Sequence, residues 1–339
     1  MASENNLNAV FTDIANAIRD KKGSVNTIKP INMADEILTI SSGVSVKDFI
    51  TTRNAKYLFY NCSSLTSEQL SSILKYDDTS GATDMQSMFY NCKSLTTIPL
   101  IDTSSVTKMS SMFSNCSKLT TIPQLDTSKV ETMYYMFNSC SSLTTIPLLN
   151  TSKVANMSDM FSNCSSLTTI PQLDTSACSD TYRMFYNCYN LTSIPQLDTS
   201  KVGNIQYMFQ YCQKLTSVPP LNTNSATMMT YMFDSCYLLE KIDITKLVNG
   251  TNINSYFASN CYSLKTLIIR TMVTIPALNS NAFQNCYHFY GTTNSTYNPN
   301  GLKDGRIYVP DDKVETLKTA TNWSVFADII KPLSEYTGE

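Results

Sequence analysis

The sequence predicts an α/β solenoid, with a short parallel sheet on one face and short helices on the other. Two observations carry this prediction. One unit of 24 residues repeats between Met88 and Tyr231 with almost no slippage, and a period of about 20–50 residues is typical of solenoids. Cysteine marks the same period, at Cys92, Cys116, Cys140, Cys164, Cys188, Cys212 and Cys236.

Each full unit is predicted to contain one strand and one short helix. The stretch 95–98 is rich in β-branched residues and ends at Pro99, which has no N–H to give to a ladder. Asp126 then begins an Asp-Thr-Ser sequence that is typical of a helix N-cap. The residues that follow it have the apolar spacing of one helical face: Val130, Met133, Met136 and Phe137. The asparagine before each cysteine, such as Asn91, is predicted to lie in a turn and to hydrogen-bond backbone groups there.

Eleven cysteines raise the question of disulfides. Cysteines at equal positions of stacked repeats would point the same way, whereas a disulfide needs two Cβ atoms aimed at each other. Cys178 also falls where other repeats carry valine, as at Val154 and Val202. Zinc is disfavoured because the chain has no Cys-x-x-Cys pair and one histidine, His288. The cysteines are therefore predicted to be buried free thiols.

The non-repeating ends divide the chain into three predicted regions. Residues 1–45 form an N-terminal helical module for attachment or capping, residues 46–300 the solenoid, and residues 301–339 a C-terminal α/β cap. The first repeat carries an insertion near residues 67–75. In the cap, GRIYVP predicts a strand and Asp311-Asp312 the start of a helix. Four apolar residues there would cover the last repeat: Trp323, Phe326, Ile329 and Ile330.

Composition excludes several classes of function. The formal net charge is −2 with 15% charged residues, which disfavours nucleic-acid binding through a basic stripe. No run of about 18 apolar residues predicts a membrane span, and the N-terminus lacks the pattern of a secretory signal. An enzyme is not expected, since His288 has no catalytic partner in the pattern and the repeated Asp126 position becomes Asn150 elsewhere. Such an exchange suits capping rather than acid–base chemistry. No cofactor and no metal is expected.

The candidate site is a patch of tyrosines at positions that the repeat leaves free to vary. In a stack of repeats, equal positions align, and tyrosine is favoured at recognition surfaces. The patch would bind a glycan or a protein; alternatively, the rings only shield the flanks of the repeats. Its members are Tyr182, Tyr186, Tyr189, Tyr207, Tyr211, Tyr231 and Tyr237.

The unit Met-Phe-x-Asn-Cys-x-x-Leu-Thr, followed by Leu-Asp-Thr-Ser-x-Val-x-x-Met, resembles the BspA-like leucine-rich repeats of bacterial surface proteins over residues 58–289. The ends resemble another class. The segments FTDIANAIRDKKGSVNTIKPINMADEI and IYVPDDKVETLKTATNWSVFADIIKPLSEY are similar to the terminal segments of tail-associated structural proteins of phages and prophages. The first resemblance implies a leucine-rich-repeat solenoid, and the second a component of a virion.

Together these features favour a non-enzymatic phage virion protein that displays its repeats for adhesion to a host or its surroundings. It would assemble in the host cytoplasm and bind other virion proteins through the N-terminal module. The partner of the repeats would be a host-surface protein or glycan, and the sequence leaves a homo-oligomer open. Two alternatives remain: a bacterial cell-surface adhesin, and a purely structural decoration or fibre subunit.

Overall fold

The computed structural model describes residues 55–74, 76–247, 253 and 255–338. The chain divides into two compact units, Met1–Val154 and Ala155–Glu339, and each is described by itself. The helices expected within residues 1–45 lie outside the described residues. Among the described residues, no helix is both long enough and apolar enough to cross a membrane.

Regular elements are few and short, because most of the described repeats consist of turns. The helices are α1 (Ser67–Ile73), α2 (Tyr287–Tyr290) and α3 (Val314–Thr319). The strands are β1 (Lys241–Ile244), β2 (Thr266–Ile269), β3 (Arg306–Val309) and β4 (Ile330–Pro332), which form one parallel sheet in the order β1-β2-β3-β4. In register, Ile242 pairs with Leu267, and Leu267 with Ile307. Helix α1 lies in the insertion of the first repeat, where Thr66 and Gln69 form a capping box.

The core of each unit is a stack of identical side chains from successive repeats. In the second unit, Phe185 and Phe209 stack with ring centroids 5.5 Å apart, and Phe209 and Phe233 stack at 5.4 Å. All three rings are fully buried. In the first unit, Phe89 and Phe113 stack in the same way at 5.6 Å. The apolar residues that the repeat keeps constant are therefore structural.

The helix predicted in each full unit is wrong. The segment contains turns, because every second N–H group donates its hydrogen bond to a carbonyl of the neighbouring repeat. The Phe113 N–H donates to the Met136 carbonyl of the following repeat at 2.9 Å, whereas the Met112 N–H donates to Met109 within its own repeat at 3.1 Å. An α-helix needs each N–H for the carbonyl four residues earlier. The apolar residues that suggested a helix are still buried, but they lie in turns: Val130, Met133, Met136 and Phe137.

Positive φ, which no α-helix allows, also occurs at two positions of the repeat. The first left-handed position directly precedes the Met-Phe pair, and φ there lies between 52° and 62° in nine repeats: Tyr57, Ser87, Ser111, Tyr135, Asp159, Arg183, Tyr207, Tyr231 and Tyr256. The second left-handed position directly precedes the cysteine, with φ between 55° and 63° in ten repeats. It holds Asn61, Asn91, Asn115, Ser139, Asn163, Asn187, Tyr211, Ser235, Asn260 and Asn285.

The polar residues of the repeat stabilise turns. Asparagine suits the second left-handed position because its short polar side chain tolerates positive φ. Its amide bonds side chains rather than the backbone groups expected: Asn187 Nδ2 donates to Asn163 Oδ1 at 2.9 Å. Asp126 does cap, but it caps a turn instead of a helix, with Oδ1 accepting from the Ser128 N–H at 2.9 Å. This backbone hydrogen bond lowers the pKa of Asp126.

The strand predicted at 95–98 and its copies is reduced to isolated hydrogen bonds wherever proline follows. One example is the Thr120 N–H, which donates to the Thr96 carbonyl at 2.9 Å. Regular four-residue strands form in β1 and β2, where Asp243 and Ile268 occupy the position of the lost proline and supply its missing N–H. The sheet is therefore regular where the repeat sequence is least regular.

The eleven cysteines are buried and free, and the repeat uses their S–H groups. Cys116 Sγ donates to the Phe89 carbonyl of the preceding repeat at 3.0 Å, and Cys212 Sγ donates to Phe185 at 3.1 Å. Valine could fill the same volume but would leave these carbonyls without that donor. Burial raises the pKa of Cys116 and of Cys188 to about 12.

Stability should therefore fall as the pH rises above about 9. The unfolded chain then loses thiol protons that the folded chain keeps, so ionisation favours unfolding between the unfolded pKa near 9 and the folded pKa near 12. Each such thiol should contribute a loss of about 1.4 kcal/mol per pH unit. Urea unfolding between pH 9 and 11 measures this slope. Cys116→Ala should make the slope shallower by about that amount, and an unchanged slope would contradict the assignment.

The C-terminal segment closes the last repeat. Trp323 is fully buried, and its indole N–H donates to the Pro276 carbonyl at 2.9 Å. Phe326, Ile329 and Ile330 are each 2% exposed. A helical segment does begin at Asp311, because the 3-10 turn Asp311–Lys313 leads directly into α3. The Asp311 side chain does not cap it, and its Oδ1 accepts from the Ser334 N–H at 3.1 Å.

A candidate tyrosine-lined binding surface

All seven tyrosines of the predicted patch lie in the second unit and are partly exposed; Tyr189 is the most open, at 38%. Their rings contact further side chains of the same unit. The term "tyrosine surface" below means the seven tyrosines together with four of these contacts: Arg183, Tyr256, Tyr262 and Tyr287.

One part of the tyrosine surface is a stack of three rings at the first left-handed position. Tyr207 and Tyr231 stack with centroids 5.1 Å apart, and Tyr231 and Tyr256 at 4.9 Å. Backbone bonds between repeats fix the spacing: the Tyr207 N–H donates to Thr230 and the Tyr231 N–H to Ser255. Burial, with the neighbouring phenols as lesser causes, raises the pKa of Tyr231. The rings are thus held by backbone and by each other.

Arg183 occupies the same repeat position in the preceding repeat, and its guanidinium group packs on the Tyr207 ring in place of a further tyrosine. Its guanidinium carbon lies 5.0, 5.2 and 4.9 Å from the ring centroids of Tyr182, Tyr186 and Tyr207. Contacts within about 6 Å of a ring centroid are favourable cation–π interactions. Arg183 Nε is buried without a hydrogen-bond partner, and no ion pair involves Arg183 among the described residues.

The three remaining predicted tyrosines extend the surface toward the cysteine side of the repeat: Tyr189, Tyr211 and Tyr237. Tyr186 and Tyr211 meet edge to face at 5.7 Å. Tyr237 and Tyr262 stack at 4.7 Å, and Tyr262 and Tyr287 at 5.3 Å. Burial raises the pKa of Tyr211, and Tyr186, Tyr189 and Tyr237 all add to the increase through their charges. Ring contacts and Arg183 therefore join five of the seven: Tyr182, Tyr186, Tyr207, Tyr211 and Tyr231. Tyr237 belongs to a second stack, with Tyr262 and Tyr287.

A buried carboxylate lies close to these rings. Asp234 is 5% exposed and accepts from Gln210 Nε2 at 2.9 Å, from Asn260 Nδ2 at 3.1 Å and from the Ser259 hydroxyl. These donors are all neutral, so the carboxylate is satisfied by hydrogen bonds. It also contributes to the raised pKa of Tyr211. Asp234 thus stabilises the repeats beneath the surface.

Sequence reasoning missed four members of the surface. Arg183 and Tyr256 share a repeat position with Tyr207, and Tyr262 and Tyr287 share one with Tyr237. The 25-residue spacing of the later repeats conceals the two matches to Tyr237. An alignment of repeats that allowed for this extra residue would have found them.

His288 lies outside this surface and is 5% exposed. Its Nδ1 lies 2.6 Å from Asp304 Oδ1, and its Nε2 lies 3.0 Å from the Tyr297 carbonyl. Both ring nitrogens are thus engaged in packing contacts. Within the described residues, no group of three or more His, Cys, Asp or Glu side chains could hold a metal ion.

Stacked single-residue columns, a short parallel sheet and few helices define a leucine-rich-repeat solenoid. Residues 158–290 match the family model described as BspA type leucine rich repeat region, in six copies. Within this range the repeats are thus similar to the BspA type. Residues 53–169 and 83–193 match a model described as Mycoplasma protein of unknown function, DUF285. No curated protein matches the chain.

Several solved structures are similar to the chain at low values. A leucine-rich-repeat protein of T. pallidum is 22% identical, with a TM-score of 0.39, over 50% of this chain and 76% of that one. One from Eubacterium ventriosum is 19% identical, with a TM-score of 0.41, over 64% of this chain and 59% of that one. A leucine rich cell surface protein of Faecalibacterium prausnitzii is 20% identical, with a TM-score of 0.28, over 76% and 77%. At these values the similarities carry no argument about function.

Proposed function

We propose that the protein is a non-enzymatic adhesin of a bacterial cell surface and that it binds a protein or a glycan through the tyrosine surface. The observation that carries this proposal is the set of tyrosine rings around Arg183. Tyrosine and arginine are the residue types that most often dominate the energy of binding interfaces. The constant residues of the repeat are buried, so recognition falls to the positions that vary.

The placement on a bacterial surface is supported by the repeat type, because BspA-like repeats resemble those of bacterial surface proteins. The virion alternative rests on the similarity of the two terminal segments to phage tail-associated proteins. The family models match residues between 53 and 290 and add no support for that alternative. A purely structural subunit without a ligand is the third candidate, in which the rings only shield the flanks of the repeats.

Replacing Tyr186 and Tyr207 together by alanine should weaken binding at least tenfold. The change removes two of the three rings around Arg183, and loss of interface tyrosines commonly costs more than about 1 kcal/mol each. The measurement is binding of the purified protein to a glycan array and to cultured epithelial cells. Circular dichroism of this double variant and of its control, described next, checks that the repeats remain folded.

The first unit supplies a matched control for this experiment. Tyr90 holds the repeat position of Tyr186, and Tyr135 that of Tyr207. Replacing these two by alanine should leave binding unchanged. Equal binding by both double variants and the natural protein would contradict the proposed site. Surface labelling of the source bacterium with an antibody to this protein tests its location, and label on phage particles instead would favour the virion alternative.

A further inference from the structure

We infer that the partner of the tyrosine surface is a protein, bound through ring edges, phenol hydroxyls and Arg183, and not a carbohydrate stacked on the rings. This inference rests on the proposed function, because it names the class of partner for the same surface. It follows from the orientation of the rings, which the sequence did not reveal.

The faces of the central rings are already occupied. Tyr231 lies between Tyr207 and Tyr256, with interplanar angles of 8° and 14°. Tyr262 lies between Tyr237 and Tyr287, with angles of 14° and 24°. A ring that is stacked on both sides has no free face.

The outer rings are restricted in the same way. Tyr207 is stacked on Tyr231, and it also meets Tyr182 edge to face at 5.6 Å and the Arg183 guanidinium at 4.9 Å. Tyr186 faces Arg183 at 5.2 Å and Tyr211 at 5.7 Å. A sugar that stacks on an aromatic side chain needs an open ring face. Tyr186, Tyr207 and the two central rings use their faces on neighbouring side chains.

Edges and hydroxyls are what the stacks offer to a partner. The positive edge of an aromatic ring favours carbonyl and carboxylate oxygens and other ring faces, and proteins carry all three. Arg183 adds hydrogen-bond donors whose position is set by three rings. Since the stacked rings are held before binding, little side-chain freedom is lost when they are covered.

The test compares two probes on the full chain: a glycan array, and a random peptide library displayed on phage and selected on the natural protein. Peptides should be enriched that bind the natural protein and lose at least tenfold in affinity with the Tyr186→Ala and Tyr207→Ala double variant. No glycan should show binding that depends on these residues.

Removing one hydroxyl distinguishes contact with edges from contact with faces. Tyr231→Phe keeps the stacked ring, and it should weaken the enriched peptides about fivefold through the loss of one hydrogen bond. Tyr135→Phe is the matched control, since Tyr135 and Tyr231 hold the same repeat position with φ of 57° in both. It should bind as the natural protein does. Equal peptide binding by Tyr231→Phe and the natural protein would overturn the hydroxyl contact.

The outcomes separate this inference from the proposed function. Glycan binding that is lost in the double alanine variant would overturn the inference and leave the proposed function standing. Peptide and glycan probes that are both insensitive to the double variant would overturn both.

Discussion

Phe209→Ala should lower the free energy of unfolding by about 3–5 kcal/mol, the usual range for truncating a buried phenylalanine. Phe209 is fully buried, and its ring stacks on Phe185 at 5.5 Å and on Phe233 at 5.4 Å. The cavity would divide this column of rings into two parts. The two parts cannot close the gap, because backbone hydrogen bonds between repeats fix their spacing. Urea unfolding followed by circular dichroism measures the change.

Phe209→Leu serves as its control, since it keeps most of the volume and should cost clearly less than the alanine variant. A loss below about 1 kcal/mol for Phe209→Ala would mean that the column closes around the cavity. In that case the stack of phenylalanines would not be the main element of the core.

Trp323→Ala should have the second large effect, again about 3–5 kcal/mol, concentrated at the C-terminal end. The side chain is fully buried, and its N–H is bonded to the Pro276 carbonyl at 2.9 Å. Its loss would open a cavity and leave that carbonyl without its donor. Hydrogen exchange measured by mass spectrometry should show faster exchange in β3 and β4 before the earlier repeats are affected.

Trp323→Phe retains the ring volume but not the donor, so it should fall between the natural protein and the alanine variant. Trp323 is the chain's only tryptophan. Tryptophan fluorescence therefore cannot follow the unfolding of these variants, and circular dichroism is used instead. Protection factors that are unchanged in Trp323→Ala would show that the last repeat does not depend on this cap.

The period and the buried positions of the repeat could be predicted from sequence because a buried column tolerates few residue types. Cys116 and Phe113 show this: one donates its S–H to the preceding repeat and the other stacks on its counterparts. The backbone between them could not be predicted in the same way. Apolar spacing reports which side chains face inward, and a series of turns can place Met133 and Met136 inward as well as a helix can.

The signal that excludes a helix was nevertheless present in the sequence. Asparagine recurs before the cysteine, as at Asn115 and Asn163, and asparagine is the non-glycine residue that most readily adopts positive φ. Read as a backbone requirement, it would have placed a left-handed residue in every turn. The left-handed residue before the Met-Phe pair has no such signature, because serine, tyrosine, aspartate and arginine all occur there.

The tyrosine patch stays a prediction as a binding site, and the structure supplies its geometry. All seven tyrosines lie in one unit, and ring contacts together with Arg183 join five of them. What the sequence could not supply was ring orientation, which depends on the spacing of the repeats and on the positive φ of residues such as Tyr207. For this reason glycan and protein partners were equally compatible with the sequence, whereas the stacked rings favour a protein.

The first left-handed position has a consequence for engineering. Glycine adopts positive φ without steric cost, whereas another residue there costs about 1–2 kcal/mol, yet none of the nine repeats uses glycine. Glycine at Ser87 or Ser111 would relieve that cost without changing a residue of the tyrosine surface. The same position accepts side chains as different as Asp159, Arg183 and Tyr207. The protein can therefore be treated as a display scaffold, with one exchangeable side chain per repeat on a backbone that does not depend on its identity.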